Sequence, residues 1–222
     1  KKLFTMKNAA LLAGVVIWNF VLYYGGRMIA NTAYHYDFST YLDHLIPLVP
    51  WMVYVYWGCY LFWGINYYIA LTTERKDGWV FALAHVLGEL VCFGFFVLLP
   101  TQMLRPVIEG NGLAQWLLRF TYQTDAPNNL LPSIHCFASW LSWIGVRNKP
   151  YVSKTYQWVS LVFAILVCIS TVTVKQHILI DVFAGIVLAE SVYYISRKTV
   201  EYAGTCQPSG ILKRILSFTQ LH

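Results

Sequence analysis

Residues 128–140 read NNLLPSIHCFASW, and the apolar character continues to residue 148. Proline fixes φ at a value suited to a first helical turn, and a serine hydroxyl can accept one of the free N–H groups there, so Pro132 and Ser133 predict a helix start. The segment behind them is apolar enough to enter a membrane or a core. His135 falls in its first turn and must find polar company there, either structural or chemical.

The rest of the chain decides between membrane and core. It is 58% hydrophobic and only 12% charged over 222 residues, with a mean hydropathy of +0.52, which excludes a soluble domain of ordinary composition. Nine Trp and sixteen Tyr fit the aromatic belts at membrane–water interfaces. The excess of 16 Lys+Arg over 10 Asp+Glu would suggest nucleic acid in a soluble protein. Here the bases need only hold loops at the cytoplasmic surface, and no nucleic-acid partner is expected. Cysteines at 59, 92, 136, 168 and 206 lack metal-type spacing and read mainly as small buried hydrophobes. The opening KKLFTMK is followed by an apolar run too long for a cleaved leader, so the first helix is expected to remain as a span.

Six apolar runs approach the length of a membrane helix: 8–29, 50–71, 79–99, 133–148, 155–174 and 177–196. The fourth is short and is expected to begin outside the hydrocarbon. Residues 31–50 are too polar to span and read as an interfacial segment. Residues 100–132 form the longest connection, rich in Pro, Gly, Asn and charge. Twelve bases fall on one side of this arrangement and four, Arg27, Arg105, Arg119 and Lys175, on the other. By the positive-inside rule both termini are cytoplasmic. The expectation is an all-α polytopic membrane protein, a single embedded domain over 1–222 built as a six-transmembrane-helix bundle, with 100–132 an extracytoplasmic active-site loop. Apolar residues at 211, 212, 215, 216 and 218 suit an amphipathic interfacial tail over 208–222.

This topology carries Arg105, His135 and His177 to the same extracytoplasmic face. His177 and Asp181 are four apart, hence on one face of a helix, where a carboxylate can hold one ring nitrogen and leave the other basic. Two histidines, a paired Asp, an Arg and a Lys at one depth point to function, because ionisable groups near lipid are expensive. His85 and Glu89 lie deeper in the third run and Glu190 in the sixth. A structural hydrogen bond from His85 to Glu190 is the preferred account, with a proton path as the alternative.

The motifs RP at 105–106, PSIH at 132–135 and STVTVKQHILID at 170–181 resemble, in order and spacing, those of the type 2 phosphatidic acid phosphatase superfamily. The resemblance covers roughly 95–190 and implies a six-helix core and phosphohistidine chemistry on lipid phosphates, with no cofactor. His177 would be the nucleophile, His135 the general acid and Asp181 the group that orients His177. Arg105 would bind the phosphate bidentately and Lys175 as a point charge. Ser133 reads either as an N-cap or, with Ile134, as part of an oxyanion site at the helix start. Asp125, Asn128 and Asn129 read as turn formers or as headgroup ligands.

Three positions depart from the family pattern: Leu98 and Thr171 stand where cations are usual, and Ile134 where Gly is common. Lys175 and Arg119 are the candidate replacements. The variant motif looks closer to the branch of inositol phosphorylceramide and sphingomyelin synthases. Hydrolysis of a lipid phosphate monoester or pyrophosphate is the first reading, on a membrane phospholipid or isoprenoid phosphate. Transfer of a phospho-headgroup to a lipid alcohol is the alternative. Outside this class stand a metalloenzyme using His135, His177 and Asp181, a transporter, whose site would lie at broken helices near the midplane, and a purely structural membrane protein. No metal is expected.

Overall fold

In the computed structural model, which describes residues 6–30, 33–72 and 75–205, every apolar run is helical. The helices are α1 (Met6–Ala30), α2 (Tyr41–Leu45), α3 (Val53–Thr72), α4 (Arg75–Leu98), α5 (Leu113–Thr124), α6 (Ile134–Val146), α7 (Lys154–Thr173) and α8 (Leu179–Thr205). There is no β-strand among the described residues, only two isolated bridges. The architecture is therefore all-helical. Lys76–Leu98, Lys154–Thr173 and Leu179–Gly204 are long and apolar enough to cross a membrane, and α1 and α3, at 25 and 20 residues, are of comparable length. The tail at 208–222 and Cys206 lie outside the described residues.

Large apolar side chains cover much of the described surface, as suits a bundle in lipid that satisfies its own backbone. Phe20, Val21, Val159, Val162, Phe183 and Ile195 all face outward. Polar side chains turn inward and pair: Trp63 Nε1 donates to Ser139 at 2.8 Å, and Ser160 donates to Asn66 at 3.4 Å.

α6 is the central element, packed against α3, α4, α7 and α8. Its 13 residues span only about 20 Å, short of the ~30 Å hydrocarbon core. Ser133 caps it, its Oγ accepting from the Cys136 N–H at 3.3 Å. Phe137, Leu141, Ile144 and Val146 are fully buried along its length. Glycine permits the close approach of α8. A Cβ on Gly185 would stand 2.7 Å from the Ser133 carbonyl oxygen and 3.1 Å from the Phe137 nitrogen.

The two polar connections are more structured than their composition predicts. Residues 31–50 contribute α2 and lead into a 3-10 turn at Pro50–Met52. The 100–132 connection contains α5, whose Leu118 and Thr121 are buried. The charge and turn residues around it hide this helix in the sequence, although the apolar spacing of LAQWLLRFTYQT is helical. These pieces form a layer over one end of the bundle. Met52, Val53, Tyr56, Leu118 and Val174 pack as one cluster, and Trp57 Nε1 donates to Thr121 at 2.9 Å.

The expected bond between His85 and Glu190 does not form. His85 Nδ1 lies 3.1 Å from the Tyr67 hydroxyl, whereas Glu190 accepts two bonds from Arg147, at 2.6 and 2.7 Å, and one from Trp140 at 2.9 Å. Glu89 accepts from Asn19 at 2.7 Å. An arginine at the end of α6 was close enough to claim the carboxylate, and a fork-shaped cation outcompetes a neutral imidazole for it.

Candidate active site

The N-terminus of α6 and the short connection from α7 to α8 meet at the layered end of the bundle. The Ser133 N–H donates to the Asp181 carbonyl at 3.1 Å, tying one helix start to the other. The α7 terminus then reverses within a few residues: Gln176 and His177 both donate their N–H groups to the Thr171 carbonyl, and Lys175 takes a positive φ of 55°. This brings His177 back toward His135, with ring centroids 5.9 Å apart.

His177 and Asp181 meet as their spacing predicts, Nδ1 to Oδ2 at 3.4 Å. The same oxygen accepts the Ile178 N–H at 3.0 Å, which fixes the carboxylate. His177 lies on the connection before α8. Burial disfavours its charged form, but the hydrogen bond and charge of Asp181 outweigh burial and lift its pKa above the ordinary imidazole value. With Nδ1 engaged, Nε2 is the free nitrogen. His135 is walled by aromatic rings, stacked on Tyr56 at 4.5 Å and flanked by Trp63 at 5.6 Å, with the Tyr60 hydroxyl 3.5 Å from its Nε2.

Both histidines open onto a cavity of about 330 Å³ that Tyr23, Trp57, Asp125, Asn129 and Gln176 also line. Arg105 stands behind it. Its guanidinium donates to the Gln176 Oε1 and the Asp125 carbonyl, each at 2.5 Å, and covers the Tyr122 ring at 4.7 Å. Burial lowers its pKa and nearby Asp125 opposes that. The group stays cationic throughout the useful pH range. Of the buried N–H donors without a protein acceptor among the described residues, three lie on or next to the cavity wall: Arg105 Nε, Gln176 Nε2 and Asn129 Nδ2. Buried donors are rarely left unpaired, and these three cluster around the histidines.

Other sequence candidates have structural roles. Ser133 is the cap of α6, and Ile134 packs against Cys92 and Phe96 while also lining the cavity. Asn129 holds a left-handed φ of 56° and yet lines the cavity, so both readings of it apply. The Asp125 carboxylate accepts the Tyr23 hydroxyl. Lys175 and Arg119 do not reach the cavity. Lys175 Nζ donates to the Asp43 and Ile46 carbonyls at 2.9 and 2.5 Å; burial lowers its pKa and Asp43 partly offsets this. Arg119 donates to the Ile108 and Gly110 carbonyls at 3.1 and 2.9 Å, pinning the loop before α5. Leu98 is 83% exposed, and Thr171 is buried, donating to the Cys168 carbonyl at 2.8 Å. Arg105 is thus the cation that bonds directly to residues of the cavity wall, Gln176 and Asp125.

Two contributors escaped the sequence reading. Gln176 sits between the singled-out Lys175 and His177, and only the reversal of the chain shows that it is the one facing Arg105. Asp43 of α2 accepts the Leu179 N–H at 2.7 Å, so α8 is capped by a residue 136 positions away. Burial would raise its pKa, but bonds from Thr40 and Leu179 and the charge of Lys175 bring it below the usual carboxylate value. No local signal could show this cap, because the capping residue is distant in sequence.

The family model for the PAP2 superfamily matches residues 78–204, the stretch from the first turns of α4 to the end of α8. Searches of curated proteins and of solved structures give no match.

Proposed function

The chain belongs to the PAP2 superfamily, whose members are phosphatases or phosphotransferases of lipid phosphates, and on that premise we propose that it is a metal-independent lipid phosphatase working through a phosphohistidine. The observation that carries this reading is the pair of facing histidines, one oriented by a carboxylate, beside three unpartnered N–H donors on Arg105, Gln176 and Asn129. His177 Nε2 attacks phosphorus, the N–P bond forming as the bond to the leaving oxygen breaks. His135 gives that oxygen its proton. Water then attacks, His135 takes the proton back, and the N–P bond breaks to release phosphate. Asp181 holds the tautomer and stabilises the positive imidazole, while the three donors match the oxygens that carry charge in the transition state.

The substrate is a lipid phosphate monoester or pyrophosphate whose tail leaves the cavity between helices. The twelve-to-four split of the bases supports a reaction at the extracytoplasmic face of the membrane. One observation favours a second reading. With Lys175 and Arg119 both committed to backbone carbonyls away from the cavity, the site suits a singly charged phosphodiester better than a dianionic monoester, which supports transfer of a phospho-headgroup to a lipid alcohol.

Purified protein incubated with lipid phosphates and phospholipids, with and without an alcohol acceptor, separates these by mass spectrometry. Free phosphate marks hydrolysis and a headgroup on the acceptor marks transfer. Label trapped on His177 under an acid-free quench supports either one. Undiminished turnover in His177→Ala sinks both.

A further inference from the structure

At the end of the bundle away from the histidines, the starts of α4 and α7 and the ends of α6 and α8 enclose a second, larger cavity, about 690 Å³. Five bases line it, Lys76, Arg147, Lys149, Lys154 and Arg197, against two acids, Asp77 and Glu201. The acids are already engaged: Lys149 pairs with Asp77 at 2.5 Å and Arg197 with Glu201 at 2.9 Å, while Arg147 is neutralised by Glu190. Lys76 and Lys154 have no ion pair among the described residues. Among the described residues the bases lining the cavity thus outnumber the carboxylates paired with them by two, beside the positive dipole end of α7.

The positive-inside rule accounts for bases at this end, but not for a walled concavity with its acids paired and its bases in excess. Its walls are also amphipathic, with Trp143, Trp158 and Tyr193 beside the charges. Lys154 and Trp158 of its wall also line an apolar groove of about 520 Å³ along α7, past Val159 and Val162 to Leu166. From Lys154 to Leu166 a helix rises about 18 Å, enough for an acyl chain to run through one half of the ~30 Å hydrocarbon core.

We propose that this cavity and groove form a binding site for an anionic phospholipid, its phosphate held by Lys76 and Lys154 and one acyl chain lying on α7. Basic pockets between membrane helices bind anionic headgroups by the same physics. The site shares α6 and α8 with the histidines but no residue with their cavity, and it does not depend on the reaction assigned there.

The test follows thermal melting of the full chain in neutral detergent, titrated with phosphatidylglycerol, phosphatidylcholine or inorganic phosphate. Phosphatidylglycerol is expected to raise the melting temperature saturably, with phosphatidylcholine and phosphate giving no comparable rise. The double variant Lys76→Gln/Lys154→Gln should need about thirty-fold more phosphatidylglycerol for half-saturation, which is about 2 kcal/mol for two surface lysines. Trp158→Ala should weaken binding as well, and Lys198→Gln, outside the cavity, should match the parent. All four side chains are exposed or partly so, so folding is preserved. Equal stabilisation by phosphatidylcholine would mean generic lipid solvation and overturn the site. Inorganic phosphate acting as well as the lipid would overturn the acyl-chain half by revealing a soluble-anion site. An unchanged titration in the double variant would overturn the assignment of the lysines.

Discussion

Asp181→Asn isolates the charge behind the nucleophile while keeping its shape. In the parent one oxygen, Oδ2, meets both the Ile178 N–H at 3.0 Å and His177 Nδ1 at 3.4 Å, and Oδ1 has no partner among the described residues. An asparagine oxygen in the Oδ2 position keeps both contacts, so what disappears is the negative charge. A bare Coulomb term at that distance, with an effective dielectric constant of about 20, sets a ceiling of roughly 5 kcal/mol. Hydrogen bonds to charged groups contribute about 1.5 to 3 kcal/mol in practice, so kcat should fall roughly 10- to 150-fold. The assay is single-turnover release of phosphate, or of transferred headgroup, from a lipid substrate in mixed micelles.

The pH dependence supplies the sign. Only neutral Nε2 attacks, so kcat/KM rises as pH passes through the His177 pKa, which Asp181 holds above the ordinary imidazole value. Removing the charge lowers that pKa and moves the rising limb to lower pH. The variant is then least impaired, relative to the parent, on the acid side. A fall in kcat of less than about threefold, or a rising limb that stays in place, would refute the role given to the carboxylate.

Gln176→Leu removes the shorter of the two bonds made by Arg105 Nη2 and leaves it only the Ala126 carbonyl at 3.3 Å. It should cost about 1 to 3 kcal/mol in kcat/KM, checked by steady-state kinetics and by partial rescue in Gln176→Glu. Lys175→Ala should lower kcat by less than tenfold, about 1.4 kcal/mol, because its amine is committed to the Asp43 and Ile46 carbonyls; its effect should appear as a lower melting temperature. Gly185→Ala forces a methyl group to within 2.7 Å of the Ser133 carbonyl and should destabilise the bundle by about 1 to 3 kcal/mol. Because the clash falls where α6 and α8 present the two histidines, turnover should fall further than the melting temperature alone accounts for.

The hydrophobic runs, the helix start at Ser133 and the pairing of His177 with Asp181 were all legible because each rests on local rules: length against membrane thickness, capping, and the four-residue helical repeat. The order of the three motifs was enough to point to the superfamily that the profile match then gave. Which polar side chains face one another is a different kind of fact. Lys175, Gln176 and His177 are consecutive, yet the positive φ at Lys175 turns its amine to α2 while Gln176 and His177 face the cavity. Glu190 was matched to His85 on sequence, and the arginine at the end of α6 took it instead. Asp43 caps a helix 136 residues away. Periodicity constrains a residue's face on its own helix. The partner across the bundle is chosen by packing, by glycines such as Gly185 that set how close two helices come, and by the competition of donors for each buried carboxylate, which only the tertiary structure decides.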